Sequence, residues 1–195
     1  LDAHSIVHRM RADIPASTAV MFNALGAGFR WAVEIPRTGP GDTVLILGPG
    51  QRGLASVIAA RAAGADTIIV TGVGRDAGKL ALARTLGADH VIDVEREDER
   101  QRVKELTNGR GADVVIEVAS NSPVPVAEAL HHAAIGGRIV LAGVEGFKAV
   151  PDFVSELAVV KELVITGAFG VTRRAYDMAI RFIESGRVPV HKMHP

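Results

Sequence analysis

The chain of 195 residues is long enough for one large domain, or a domain with an appendage, and at 48% hydrophobic residues it can bury a full core. Its 22 Lys and Arg balance 22 Asp and Glu, so no net field favours nucleic acid or an anionic membrane surface. The lack of cysteine excludes disulfides, thiolate nucleophiles and cysteine-ligated zinc within these residues, and no apolar run approaches the roughly 20 residues that span a bilayer.

The first stretch, LDAHSIVHRMRADIP, has neither the basic flank nor the apolar core of a signal peptide. A soluble cytoplasmic protein is the expectation. With Leu1 at the start and HKMHP at the end, the chain reads as part of something longer. Ser17–Ile35 then reads as a helix, softened or broken at Gly26 and Gly28, and Pro36 and Pro40 turn the chain onward. Apolar β-branched runs follow at 43–47, 67–71, 90–92, 113–118, 138–142 and 163–166. Amphipathic stretches alternate with them at 53–63, 76–86, 97–107, 125–134, 154–161 and 172–185. Runs such as VLIL and VVIEV are apolar on both faces, as in a parallel sheet covered on both sides. The expected fold is α/β: a doubly wound, six-stranded parallel sheet of the Rossmann type, with a helical segment ahead of it.

Between the first strand and its helix stands Gly48-Pro49-Gly50-Gln51-Arg52-Gly53, a G-x-G-x-x-G spacing. The first glycine permits a tight turn and the second lets backbone approach a diphosphate. The third lets helix and strand pack closely, and the amino end of the helix offers free N–H groups to an anion. A Walker A loop is excluded, because Leu54 and Ala55 follow Gly53 in place of Lys and Ser or Thr. A short-chain dehydrogenase pair is excluded as well, since Tyr176 is the single tyrosine and Ile180, not lysine, stands four residues on.

The succession GDTVLILGPGQRGLA, LARTLGADHVID, GADVVIEV, GGRIVLAGV and VITGAFG resembles the coenzyme-binding domain of zinc-containing medium-chain alcohol dehydrogenases, over residues 16–188. The resemblance implies an NAD(P)-binding domain, residues 37–188, of an alcohol or polyol dehydrogenase. Residues 1–36 would be the connection from a catalytic domain and 189–195 the start of the return to it. Most catalytic groups, and the contacts to an alcohol or carbonyl substrate, would then lie outside these residues, and no catalytic residue is assigned within them. By the same resemblance, Asp93-Val94 would lie near the adenine and Ala119-Ser120 after the fourth strand. Gly143-Val144 and Ala168-Phe169 would lie near the nicotinamide. Family members pair the sixth strand with its symmetry mate, so a homodimer through LVITGA is expected. No nucleic acid or membrane partner is expected.

In NAD-preferring relatives an acid after the second strand binds the adenosine ribose. Here that position is Gly74, followed by Arg75. A missing carboxylate beside a guanidinium favours the 2′-phosphate of NADP, although Asp76 stands close by and is also a natural N-cap for the next helix. Lys79 sits where related enzymes place a ribose-contacting lysine. The resemblance also places a zinc ligand at Asn23, and a neutral amide is a poor one. That leaves the zinc of the whole enzyme three-liganded, rearranged or lost. The histidines read as forming no metal pattern: His131 and His132 are adjacent, His4, His8 and His90 are isolated, and His191 and His194 stand near the end. The alternatives are a zinc-independent quinone or enoyl reductase of the same superfamily and a non-catalytic nucleotide-sensing Rossmann module.

Overall fold

The computed structural model describes residues 5–120, 122–187 and 189–193, so His4, His194 and the boundary at Val188 lie outside the described residues. Six parallel strands among the described residues form one sheet: β1 (Thr43–Leu47), β2 (Thr67–Gly72), β3 (His90–Asp93), β4 (Ala112–Glu117), β5 (Ala133–Leu141) and β6 (Val164–Gly167). Their order is β3-β2-β1-β4-β5-β6, so the direction of winding reverses between β1 and β4. A parallel sheet with this order opens a crevice at the carboxyl ends of those two strands, where ligands bind.

Short helices α1 (Ala16–Ala19) and α2 (Phe22–Phe29) precede the sheet. The others are α3 (Gln51–Ala62), α4 (Ala77–Leu86), α5 (Glu99–Leu106), α6 (Val124–His132), α7 (Ser155–Val160) and α8 (Arg173–Glu184). Helices α2, α3, α4 and α8 cover one face over Val44, Ile46, Ile68 and Ile116. Helices α5, α6 and α7 cover the other over Leu45, Leu47, Ile69 and Val115. Val44–Leu47 of β1 therefore alternate between opposite cores, all at 1% exposure or less, which is why this run carries no polar alternation.

The glycines of α2 do not break it. A Cβ on Gly28 would stand 2.4 Å from the Ala55 backbone oxygen of α3, and one on Gly26 would stand 2.7 Å from the Tyr176 ring of α8. Their smallness lets three helices approach closely, and that packing outweighs their low helix propensity. The helical stretch is interrupted earlier, around Val20–Met21, and continues past Phe29 as a wider π turn over Arg30–Glu34.

Among the strands the largest departure from the expected bounds is β5, which begins at Ala133 and not at Arg138, directly where α6 stops. Helix α6 ends at His132, two residues early, because Ala133 is already extended at φ −66°, ψ 141°. The early end is stabilised by Lys161, whose Nζ donates to the carbonyls of Leu130 at 2.9 Å and of His131 and Ala133 at 2.8 Å. Asp76 occupies the N-cap position of α4 without capping it. Its carboxylate instead meets Lys79 Nζ at 2.7 Å.

Candidate nucleotide site

The three glycines of the turn between β1 and α3 occupy three different settings. Gly48 has φ 111°, a conformation open to glycine and strained for other residues, and its N–H donates to the Thr71 carbonyl at 3.1 Å. A Cβ on Gly53 would lie 1.9 Å from the Gly48 carbonyl oxygen, so any side chain there collides with the turn. Gly50, by contrast, faces open space. It is the N-cap of α3 and supplies no side-chain acceptor, so the first-turn amides of Gln51, Arg52 and Gly53 are not capped by it. Uncapped amides at a twelve-residue helix present partial positive charge to an anion.

This turn borders a cleft of about 580 Å³. Of the residues expected at the site, Gly48, Gly50, Arg75, Asp76, Lys79, Val94, Ala119 and Ser120 line it. Gly53 is buried beneath the turn, while Gln51 and Arg52 are exposed on α3. Arg52 lies over the Trp31 ring, 5.4 Å from its centroid, and not in the cleft. Gly143 stands at the end of β5 beside β4, and Val144 is exposed next to it. Ala168 and Phe169 border a separate hollow of about 280 Å³ beyond β6, with Phe169 fully projecting at 88% exposure.

Gly74 itself does not line the cleft, which takes its neighbours Gly72, Val73 and Arg75, and the structure adds a feature at that point. Its N–H donates to Glu95 Oε2 at 2.8 Å, and a Cβ on Gly74 would lie 2.9 Å from that oxygen and 3.5 Å from Asp93 Oδ2. The strand β2 tip therefore carries no carboxylate of its own, yet two carboxylates from the β3 tip occupy the space. Sequence spacing gives no sign of this, because the contact depends on how β3 pairs with β2.

A second missed residue is Glu117, fully buried at the end of β4. Its carboxylate accepts the Ala119 N–H at 2.8 Å and the Gly143 N–H at 3.1 Å, joining the tips of β4 and β5. Burial pushes this carboxyl up to about 7, with the neighbouring Glu145 adding to the rise and the two N–H donors opposing it. The signal was legible: one acid inside VVIEV, an otherwise apolar run.

Asn23 makes an ordinary contact, its Nδ2 donating to the Tyr176 hydroxyl at 3.0 Å. The chain's residues thus do not supply a zinc ligand of the usual kind at that position. The histidines do form one pattern that the sequence reading excluded. Glu128 and His132 lie four apart on α6, and Glu99 of α5 meets them, with the three ligand atoms within 4.8 Å of one another. A one-turn spacing brings two side chains to one helix face, and considering His131 and His132 only as neighbours hid it.

Residues 53–185 match the family described as zinc-binding dehydrogenase. Over 187 residues the chain is 45% identical to a Mycobacterium tuberculosis protein named "Probable alcohol dehydrogenase adh", covering 95% of this chain and 51% of that one. It is 34% identical over 192 residues to an erythritol/L-threitol dehydrogenase of Mycolicibacterium smegmatis, covering 98% of this chain and 51% of the relative. A crystal structure from Sinorhizobium meliloti, described as a zinc-binding dehydrogenase bound to NADP, superposes with a TM-score of 0.83 at 27% identity, covering 95% of this chain and 53% of its own. The chain thus spans about half the length of the curated relatives it matches. The glycine turn at the β1–β4 crevice, the six-strand order and these matches together make the chain a member of the zinc-binding dehydrogenase family, corresponding to its coenzyme-binding part.

Proposed function

We propose that this chain is the NAD(P)-binding part of a dehydrogenase that transfers a hydride between an alcohol or polyol and a nicotinamide cofactor. The observation that carries the reading is the uncapped amino end of α3 beside Gly50, opening on the cleft at the strand reversal. Such a cradle fits a diphosphate: donors point outward, no side chain fills the approach, and the helix field favours negative charge. The hydride chemistry belongs to the nicotinamide, and these residues bind and orient it. Relatives named for alcohol, sorbitol and erythritol/L-threitol oxidation support the substrate class. The division at residues 36 and 188 and a cytoplasmic setting belong to the same proposal, as nicotinamide dinucleotides are intracellular cofactors. Titration of the purified chain with NADH and NADPH, followed by nicotinamide fluorescence, should give saturable binding of one of them. Absence of binding by both would remove the reading.

Between the two cofactors, we propose NAD. Gly74 and Arg75 favour a 2′-phosphate, but Glu95 and Asp93 place two negative charges against Gly74. A phosphate there meets like charge, whereas a ribose hydroxyl finds acceptors.

A zinc-independent quinone or enoyl reductase of the same superfamily is the second reading, favoured by the Asn23 amide held to Tyr176. Metal analysis of the full-length enzyme separates the two. In either case the exposed apolar edge at Val164 and Ile165 supports pairing of β6 with a second copy.

A further inference from the structure

Helix α6 buries His132 to 3% exposure, and its Nε2 has no hydrogen-bond partner among the described residues. That nitrogen faces Glu99 Oε1 at 3.6 Å and Glu128 Oε2 at 3.9 Å. Both separations are too long for a hydrogen bond. They are close to the ~3.4 Å that separates neighbouring ligand atoms around a tetrahedral ion with bonds of about 2.1 Å. We propose that Glu99, Glu128 and His132 form a binding site for one divalent cation of the zinc class, tying α5 to α6 in the wall of the nucleotide cleft.

An imidazole nitrogen with two carboxylates is the donor set of a borderline ion such as Zn²⁺, while Mg²⁺ and Ca²⁺ take oxygen ligands. The site stands between two openings. Glu99 and Glu128 line the nucleotide cleft, and His132 borders a depression of about 640 Å³ on the other side. Arg100 is the competing cation, its Nε donating to Glu128 Oε2 at 2.7 Å and its Nη2 to Oε1 at 2.8 Å. Each carboxylate oxygen keeps a second lone pair. Two carboxylates against one guanidinium leave the cluster one negative charge with His132 neutral, so a dication still gains by entering. The site uses only side chains of α5 and α6 and does not depend on which nucleotide fills the cleft.

Calorimetric titration of the metal-free 195-residue chain with ZnCl₂ at pH 7.5 should show one Zn²⁺ per chain and a rise in melting temperature, with no comparable uptake of Mg²⁺ or Ca²⁺. The variants His132→Gln and Glu99→Gln should each weaken zinc by about tenfold or more, since even outer-shell partners of a metal are worth 10–100-fold. Unchanged zinc uptake by a folded His132→Gln variant would overturn the site, as would wild-type uptake only at millimolar zinc. Should the variants fail to fold, anomalous diffraction from zinc-soaked wild-type crystals decides: a peak among the three side chains supports the site, and peaks only elsewhere overturn it.

Discussion

Gly74, just beyond β2, and Glu95, just beyond β3, are joined by a backbone N–H to carboxylate bond of 2.8 Å across 21 positions of sequence. Under the NAD reading proposed above, the acid that faces the adenosine ribose comes from the neighbouring strand. Replacing Glu95 with Gln keeps an acceptor for the Gly74 amide and removes the charge. The ratio of NADPH to NADH affinity should rise by about tenfold, or 1.4 kcal/mol, read by fluorescence titration of both nucleotides. An unchanged ratio would put the selectivity elsewhere, with Arg75 the next residue to replace.

Gly53 is the tightest position of the turn. In Gly53→Ala the new methyl would sit 1.9 Å from a backbone oxygen, and no rotamer change relieves that. The turn must open, at a cost of about 1–3 kcal/mol of stability, and nucleotide affinity should fall further than the loss of stability explains. Chemical denaturation and nucleotide titration on the same sample measure the two effects.

Glu117 makes stability depend on pH in an unusual direction for a carboxylate. Its native value near 7 lies above the ordinary 4.5, so the folded state holds a proton that the unfolded state has released between those values. The contribution is fully present below about pH 4.5 and is lost as pH rises through about 7, worth up to about 3 kcal/mol. Denaturant melts of Glu117→Gln, which mimics the protonated form, should show a flatter pH profile over this window than the wild type. Parallel profiles would show that other groups set the slope.

The β6 edge exposes Val164 at 57% and Ile165 at 37%, close to Val159 and Val160 of α7, which are also exposed. A charge on such an edge blocks strand pairing. Sedimentation should find dimer for the wild-type chain at micromolar concentration and monomer for Val164→Lys. A wild type that stays monomeric would remove the edge as an interface.

Much of this architecture could be read from the chain because its physics is local. Strand β1 falls at the expected bounds, since an apolar β-branched run ending at glycine has few other uses. The glycine turn was legible for the same reason: its three roles are backbone roles at fixed spacing. What escaped depends on contacts between elements. Gly26 and Gly28 looked like helix breakers until α3 and α8 packed against them. Glu95 reaches Gly74 only through the pairing of β2 with β3. The end of α6 is set by Lys161, distant in sequence, and Asp76 gave up its capping role for Lys79.

The contact of Gly28 with Ala55 leaves no slack between α2 and α3, the helix proposed to seat a diphosphate. At organic-crystal density, neighbours this close rotate together or not at all. Any swing transmitted through α2 is thus felt at α3 and at the glycine turn that opens it. Under the proposed reading, grip on a cofactor and posture of the leading segment become mechanically one variable.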